Sequence, residues 1–143
     1  MSVVATRPRL GFAGVGWIGR HRLAAIAASG AAEVAAVADP AGVELDVECV
    51  PSFDELLRHD LDGIVIATPS ALHAEQALAA LERGLAVFCQ KPLGRTASET
   101  LAVVESARRA DRLLGVDFSY RRTDGARALR EEIRSGALGE IYA

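Results

Sequence analysis

The 143 residues carry 16 basic and 19 acidic side chains, a formal net charge of -3, and a composition that is half hydrophobic and only 5% aromatic. That is one globular domain, large enough to close a core without disulfides. The acidic balance excludes a phosphate-neutralising nucleic-acid binder, the scarce aromatics exclude a stacking platform for single strands, and no apolar run approaches the roughly 18 residues of a membrane span.

Met1 to Pro8 lacks the apolar stretch of a signal peptide, and Cys49 and Cys89 fit no metal or redox spacing. A cytoplasmic protein with two buried, reduced thiols and no metal is expected. Of the 16 basic residues only Lys91 is a lysine. Such a survivor draws notice, because Arg replaces Lys at most solvent-facing sites but not where a compact, titratable ammonium is required.

In chain order, short apolar runs alternate with helical patterns. Leu10 to Val15 reads as a first strand. Ile18 to Ser29 reads as a helix with Leu23, Ile26 and Ala27 on one face, stopped by Gly30. Val34 to Ala38 is a second strand. Only Pro40 to Asp46 separates it from the strand-like Val47 to Val50. Seven residues reach roughly 24 Å fully extended, too little for a helical crossover. An extended crossover is therefore expected there, or no third parallel strand. Ser52 to Glu55 is a capping box that opens a short helix. Ile64 to Ala67 is a buried strand. Ala71 to Arg83 is a helix with Ala74, Leu78 and Leu81 inward and Gly84 at its end. Leu85 to Cys89 is a strand. Thr96 to Glu99 is a second capping box, whose helix runs to about Ala110, and Leu113 to Phe118 is a last strand. Asp124 to Ser135 is a final helix with Ala126, Leu129 and Ile133 inward, stopped by Gly136. The alternation predicts a doubly wound α/β fold: a mainly parallel sheet with helices on both faces.

Gly14-Val15-Gly16-Trp17-Ile18-Gly19 fits G-x-G-x-x-G, follows a strand and opens a helix, the context in which the pattern reads as dinucleotide binding. Gly14 permits the tight turn, Gly16 leaves room for a pyrophosphate, and Gly19 lets the helix pack close to the strand. The helix N-terminus offers unpaired N–H groups to the anion. Asp39 lies 20 residues past Gly19 at the end of the second strand. A carboxylate there accepts from both hydroxyls of a ribose and repels a 2′-phosphate, which favours NAD over NADP. A strand-ending Asp-Pro turn is the plainer alternative. Thr68-Pro69-Ser70 and Gln90-Lys91-Pro92 follow strands at the edge of the sheet where ligands sit. His73 lies in the first turn of a helix, where a neutral, hydrogen-bonding ring is expected rather than an acid catalyst. Lys91 is placed to orient a substrate hydroxyl or carbonyl and to help move its proton.

Together these residues resemble the N-terminal domain of the Gfo/Idh/MocA oxidoreductases. The matching stretches are GFAGVGWIGRHR, VADP, DELL, DGIVIATPSALHAEQALAALERG, QKPLGRT and ALREEIRSGALGEI, from Arg9 to the last residue. The resemblance implies a single NAD(P)-binding Rossmann domain over residues 1–143. It makes Lys91, the lysine of the family's Glu-Lys-Pro motif, the catalytic candidate beside the nicotinamide. Its implied cofactor contacts are Gly14, Gly16, Trp17, Ile18, Gly19, Asp39, Thr68, Pro69, His73, Gln90 and Arg121. Gln90 stands where the family has glutamate, which removes a negative charge next to Lys91. The helix usual after the second strand is missing, and with it part of the adenine wall. The family's α+β substrate domain is expected to be absent. The resemblance thus implies hydride transfer with a sugar, polyol or inositol-like substrate, with no turnover by this chain alone. It also implies association, or homo-oligomers, through an exposed domain face. A non-catalytic dinucleotide-binding module is the alternative. A methyltransferase is disfavoured by the Lys-Pro motif and the second phosphate-spacing glycine.

Overall fold

The computed structural model describes residues 6–42 and 44–142. Six parallel strands form one sheet: β1 (Arg9–Ala13), β2 (Glu33–Ala38), β3 (Glu48–Val50), β4 (Gly63–Ile66), β5 (Ala86–Gln90) and β6 (Leu114–Asp117). Their order is β3-β2-β1-β4-β5-β6. The chain winds outward in one direction from β1 and then in the other from β4. The crevice between the carboxyl ends of β1 and β4 is therefore the switch point of a doubly wound sheet, where such folds bind ligands.

Alternation along the strands divides the core into two faces. Ala13, Ile64, Ile66, Val87 and Cys89 face one layer of helices, and Phe12, Val37 and Val65 face the other. On the first side lie α2 (Phe53–Leu56), α3 (His73–Glu82) and α4 (Ala97–Ala110), which contribute Leu56, Ala77, Leu81, Val103 and Ala107 to the buried cluster. On the second lies α1 (Trp17–Ser29), packed through Leu23 and Ile26. Ala27, expected on that inner face, is exposed. Burying each of these large aliphatic and aromatic side chains contributes roughly 1.5–3 kcal/mol.

The connection from β2 to β3 contains no helix among its described residues, 40–42 and 44–47. β3 nevertheless pairs parallel to β2, with Ala36 opposite Glu48 and Ala38 opposite Val50. Of the two outcomes that seven residues allow, the extended crossover is the one taken. Both predicted N-caps form: Ser52 accepts from the Glu55 N–H at 3.2 Å, and Thr96 from the Glu99 N–H at 3.1 Å. The Glu99 carboxylate turns to the Arg95 N–H at 2.7 Å.

Two expectations of burial are corrected. The last helix, α5 (Asp124–Ser135), has the predicted bounds but no buried residue. Ala126 is half-buried, while Leu129 and Ile133 are 56% and 46% exposed. The helix packs chiefly on the 3-10 turn at Ser119–Arg122 and lies off the core. Cys49 is exposed on the edge strand β3. Cys89 is buried in β5 as expected, and burial pushes its thiol up to about 12.

Candidate cofactor groove

The turn after β1 is shaped by glycine for three separate reasons. Gly14 has φ +81, and a Cβ there would lie 2.8 Å from the backbone of Ala67 and Thr68. The turn is thus wedged against the end of β4 and closed to any side chain. A Cβ on Gly19 would lie 2.2 Å from the Gly14 carbonyl, so the first turn of α1 sits directly on the loop. A Cβ on Gly16 meets nothing within 4 Å. It would project into open space, the cradle that the pyrophosphate reading requires. Gly16 is also the N-cap of α1 and supplies no side-chain cap, so the first-turn N–H groups keep no side-chain acceptor. These groups and the helix dipole suit an anion.

The Asp39 carboxylate is pinned from both sides. One oxygen accepts from the Val15 N–H of the glycine turn, and the other from the Ala41 N–H, each at 2.9 Å. Each carboxylate oxygen has a further lone pair to offer. Asp39 lines a groove of about 770 Å³ together with Gly14, Gly16, Trp17, Ile18, Thr68 and Pro69. With the crossover helix missing, the far wall is Pro40 on one side and Pro51, Ser52 and Phe53 on the other.

A second groove of about 770 Å³ shares Trp17, Ile18, Ala67 and Thr68 with the first and continues it. It holds His21, Arg22, His73, Gln90, Lys91 and Tyr120. Thr68 donates from its hydroxyl to Gln76 Oε1 at 2.6 Å, which ties the end of β4 to α3. His73 is 1% exposed. Its Nδ1 faces the Pro92 carbonyl oxygen at 2.7 Å and its Nε2 the Thr68 carbonyl oxygen at 2.8 Å. A neutral ring donates one of these bonds and an imidazolium donates both. In either form no ring nitrogen is left for a ligand. His73 therefore braces the turn after β4 against the turn after β5, and its side chain also lines this second groove. Lys91, next to Pro92, is exposed on the groove.

Next to Lys91 is a largely buried polar cluster that sequence reasoning missed. Asp117, at the end of β6, accepts from Arg22 Nε at 2.5 Å and from Gln90 Nε2. Burial alone would raise the Asp117 carboxyl, but the Arg22 and Gln90 bonds, the charge of Arg22 and a bond from Ser119 outweigh it and hold the group below the usual carboxylate range. A sequence signal existed: an Asp ending a strand on the ligand edge of the sheet. Arg121 lines neither of these two grooves. It lines a neighbouring one with Arg122, Arg127 and Arg130, whereas Tyr120 lines the second groove beside Lys91.

No helix among the described residues is long and apolar enough to cross a membrane. Residues 8–118 match the Gfo/Idh/MocA family, described as an oxidoreductase family with an NAD-binding Rossmann fold. The rhizopine catabolism protein MocA of Rhizobium meliloti is 35% identical over 144 residues, which cover 96% of this chain and 45% of that protein. Among solved structures, scyllo-inositol dehydrogenase from Lactobacillus casei with bound NAD(H) and scyllo-inositol superposes with a TM-score of 0.82 at 27% identity, over 95% of this chain and 43% of that one. The WlbA dehydrogenase from Bordetella pertussis, in complex with NADH and UDP-GlcNAcA, gives 0.87 at 27% identity, over 99% and 43%. The chain thus spans less than half the length of these relatives. With its switch-point groove, its three-glycine turn and a family match over most of its length, the chain belongs to the Gfo/Idh/MocA oxidoreductases and has the form of their NAD-binding Rossmann domain.

Proposed function

We propose that this domain holds NAD for the oxidation or reduction of a sugar, polyol or inositol-like hydroxyl, with Lys91 as the substrate anchor. The observation that carries the reading is the continuity of the two grooves. One runs over the glycine turn and Asp39, and the other continues it past Trp17 and Thr68 to Lys91. In this reading Gly16 and the first turn of α1 receive the pyrophosphate. The Asp39 carboxylate, already oriented by Val15 and Ala41, uses its remaining lone pairs on the ribose hydroxyls. Bound NAD supplies hydride acceptance and donation. Lys91 orients the substrate oxygen and exchanges its proton. Holding the reactants at about 3–3.5 Å is worth roughly 7–11 kcal/mol of barrier. An exposed Lys91 is a single anchor, so fast turnover requires more of a substrate wall than this groove presents.

The test is a titration with NADH followed through Trp17, the only tryptophan, which stands inside the glycine turn. Binding is expected to quench its emission or pass energy to the dihydronicotinamide. Gly16→Val is expected to abolish the response by filling the cradle, at a cost of about 1 kcal/mol in stability from the poorer N-cap. No change at millimolar NADH, with the protein shown to be folded, would sink the reading.

A further inference from the structure

Gln90 and Asp117 are register partners at the carboxyl ends of β5 and β6, 8% and 7% exposed. The Gln90 amide donates to Asp117 Oδ2, and the same oxygen accepts from Arg22 on α1. Among the described residues no buried side-chain nitrogen or oxygen lacks a partner. The carboxylate, the guanidinium and the amide are thus bonded to one another, with Ser119 as a further donor to the carboxylate. A glutamate at position 90 would bring a second carboxylate against Asp117 where neither is well solvated, and like charges so placed cannot both ionise without cost. An amide is thus the side chain that this carboxylate selects. Lys91 follows Gln90 directly, and Arg22, Gln90 and Lys91 line the same groove.

We propose that Gln90, Asp117 and Arg22 act as one positioning unit: Gln90 allows an ionised Asp117 to sit under the nicotinamide end of the groove, and the unit fixes the strand end from which Lys91 meets substrate. The proposal rests on the reading of that groove as the NAD site.

The test compares Gln90→Glu, Asp117→Asn and the double variant that exchanges amide and carboxylate. Two quantities are read: the urea midpoint, and the modification of Lys91 by trinitrobenzenesulfonate with and without saturating NADH. Lys91 is the only lysine, and peptide mass separates it from the terminal amine. NADH is expected to protect Lys91 in the wild-type chain. Gln90→Glu is expected to lower the midpoint and to cut that protection by about tenfold. The exchange is expected to recover both. Wild-type behaviour of Gln90→Glu, or a double variant no better than Gln90→Glu, overturns the unit. If Gln90→Glu does not fold, a folded and protected double variant supports the unit and an unfolded one overturns it. If NADH fails to protect even the wild-type chain, the NAD reading of the groove falls, and the positioning claim falls with it. A failed rescue beside intact wild-type protection removes the unit alone.

Discussion

At the Gly14 end the groove is made of backbone, and at the Lys91 end it is made of side chains. The first is a turn wedged against the end of β4, with Gly19 seated on the Gly14 carbonyl and one carboxylate, Asp39, bound to the Val15 N–H. The second is assembled from α1, α3, β5 and β6 through His73, Gln90, Arg22 and Asp117. Backbone wedged this closely has no alternative packing, whereas a side-chain assembly can lose one member and keep its fold. The two ends should therefore fail differently. Damage to the turn should cost stability first, and damage to the cluster should first cost the placement of Lys91.

The largest effect is expected from Gly14→Ala. The methyl group meets φ +81 and the backbone of Ala67 and Thr68 at 2.8 Å. A loss of about 3 kcal/mol is expected, the sum of left-handed strain and a clash that no side-chain rotation relieves. Urea unfolding measures it. A midpoint within error of wild type would show that the turn is not the rigid end.

His73→Leu is expected to be next. It removes the ring that bridges the Thr68 and Pro92 carbonyls and leaves at least one of them without its donor in a buried site. The expected cost is about 2 kcal/mol. Lys91 should also become more reactive toward amine reagents, since the turn that carries it loses its brace. A variant as stable as wild type, with unchanged Lys91 reactivity, would remove His73 from the comparison.

The same contrast explains how much was legible in the sequence. The glycine turn, the alternation of strands and helices, both N-caps and the absence of a helix between β2 and β3 were readable because each depends on residues close in the chain. The six residues Gly14 to Gly19 carry the whole turn, and seven residues are too few for a helix between β2 and β3. The cluster was not readable, because Arg22 and Asp117 are 95 positions apart and Gln90 and Asp117 are 27 apart. Their meeting depends on which strands become neighbours. His73 was half legible: its place at a helix start was correct, but its two carbonyl partners lie on different turns. Ala126, Leu129 and Ile133 were misread for a related reason. Periodicity identifies the apolar face of α5 but not whether another element covers it.

Asp39→Asn is expected to have a smaller effect, confined to cofactor choice. The amide keeps one oxygen for the Val15 N–H, so the turn should stand. What goes is the charge that opposes a 2′-phosphate. The wild-type chain is expected to prefer NADH over NADPH by roughly tenfold, and the variant to bind the two about equally. Dissociation constants from Trp17 emission decide it, and an unchanged ratio would leave Asp39 as a brace of the turn only.

The smallest effect is expected with acid, and it should fall on the side-chain end alone. Burial raises the Asp117 carboxyl, and the bonds from Arg22 and Gln90 more than reverse that, so the folded value lies below the ordinary 3.8. Below 3.8 the unfolded chain takes up this proton before the folded chain does. The stability that Asp117 contributes is therefore complete above the ordinary value and lost as pH falls through the folded one. Asp117→Asn removes this contribution, so the stability of the variant should decline less than that of wild type between neutral pH and the acid transition. Gly14→Ala should follow the wild-type slope from a lower starting point, because its damage lies in backbone that does not titrate. Urea midpoints of the three proteins across that pH range give the comparison. Parallel slopes for wild type and Asp117→Asn would mean that Asp117 is not held ionised by its partners. The Lys91 end would then lose its distinguishing charge, and the contrast between the two ends would reduce to packing.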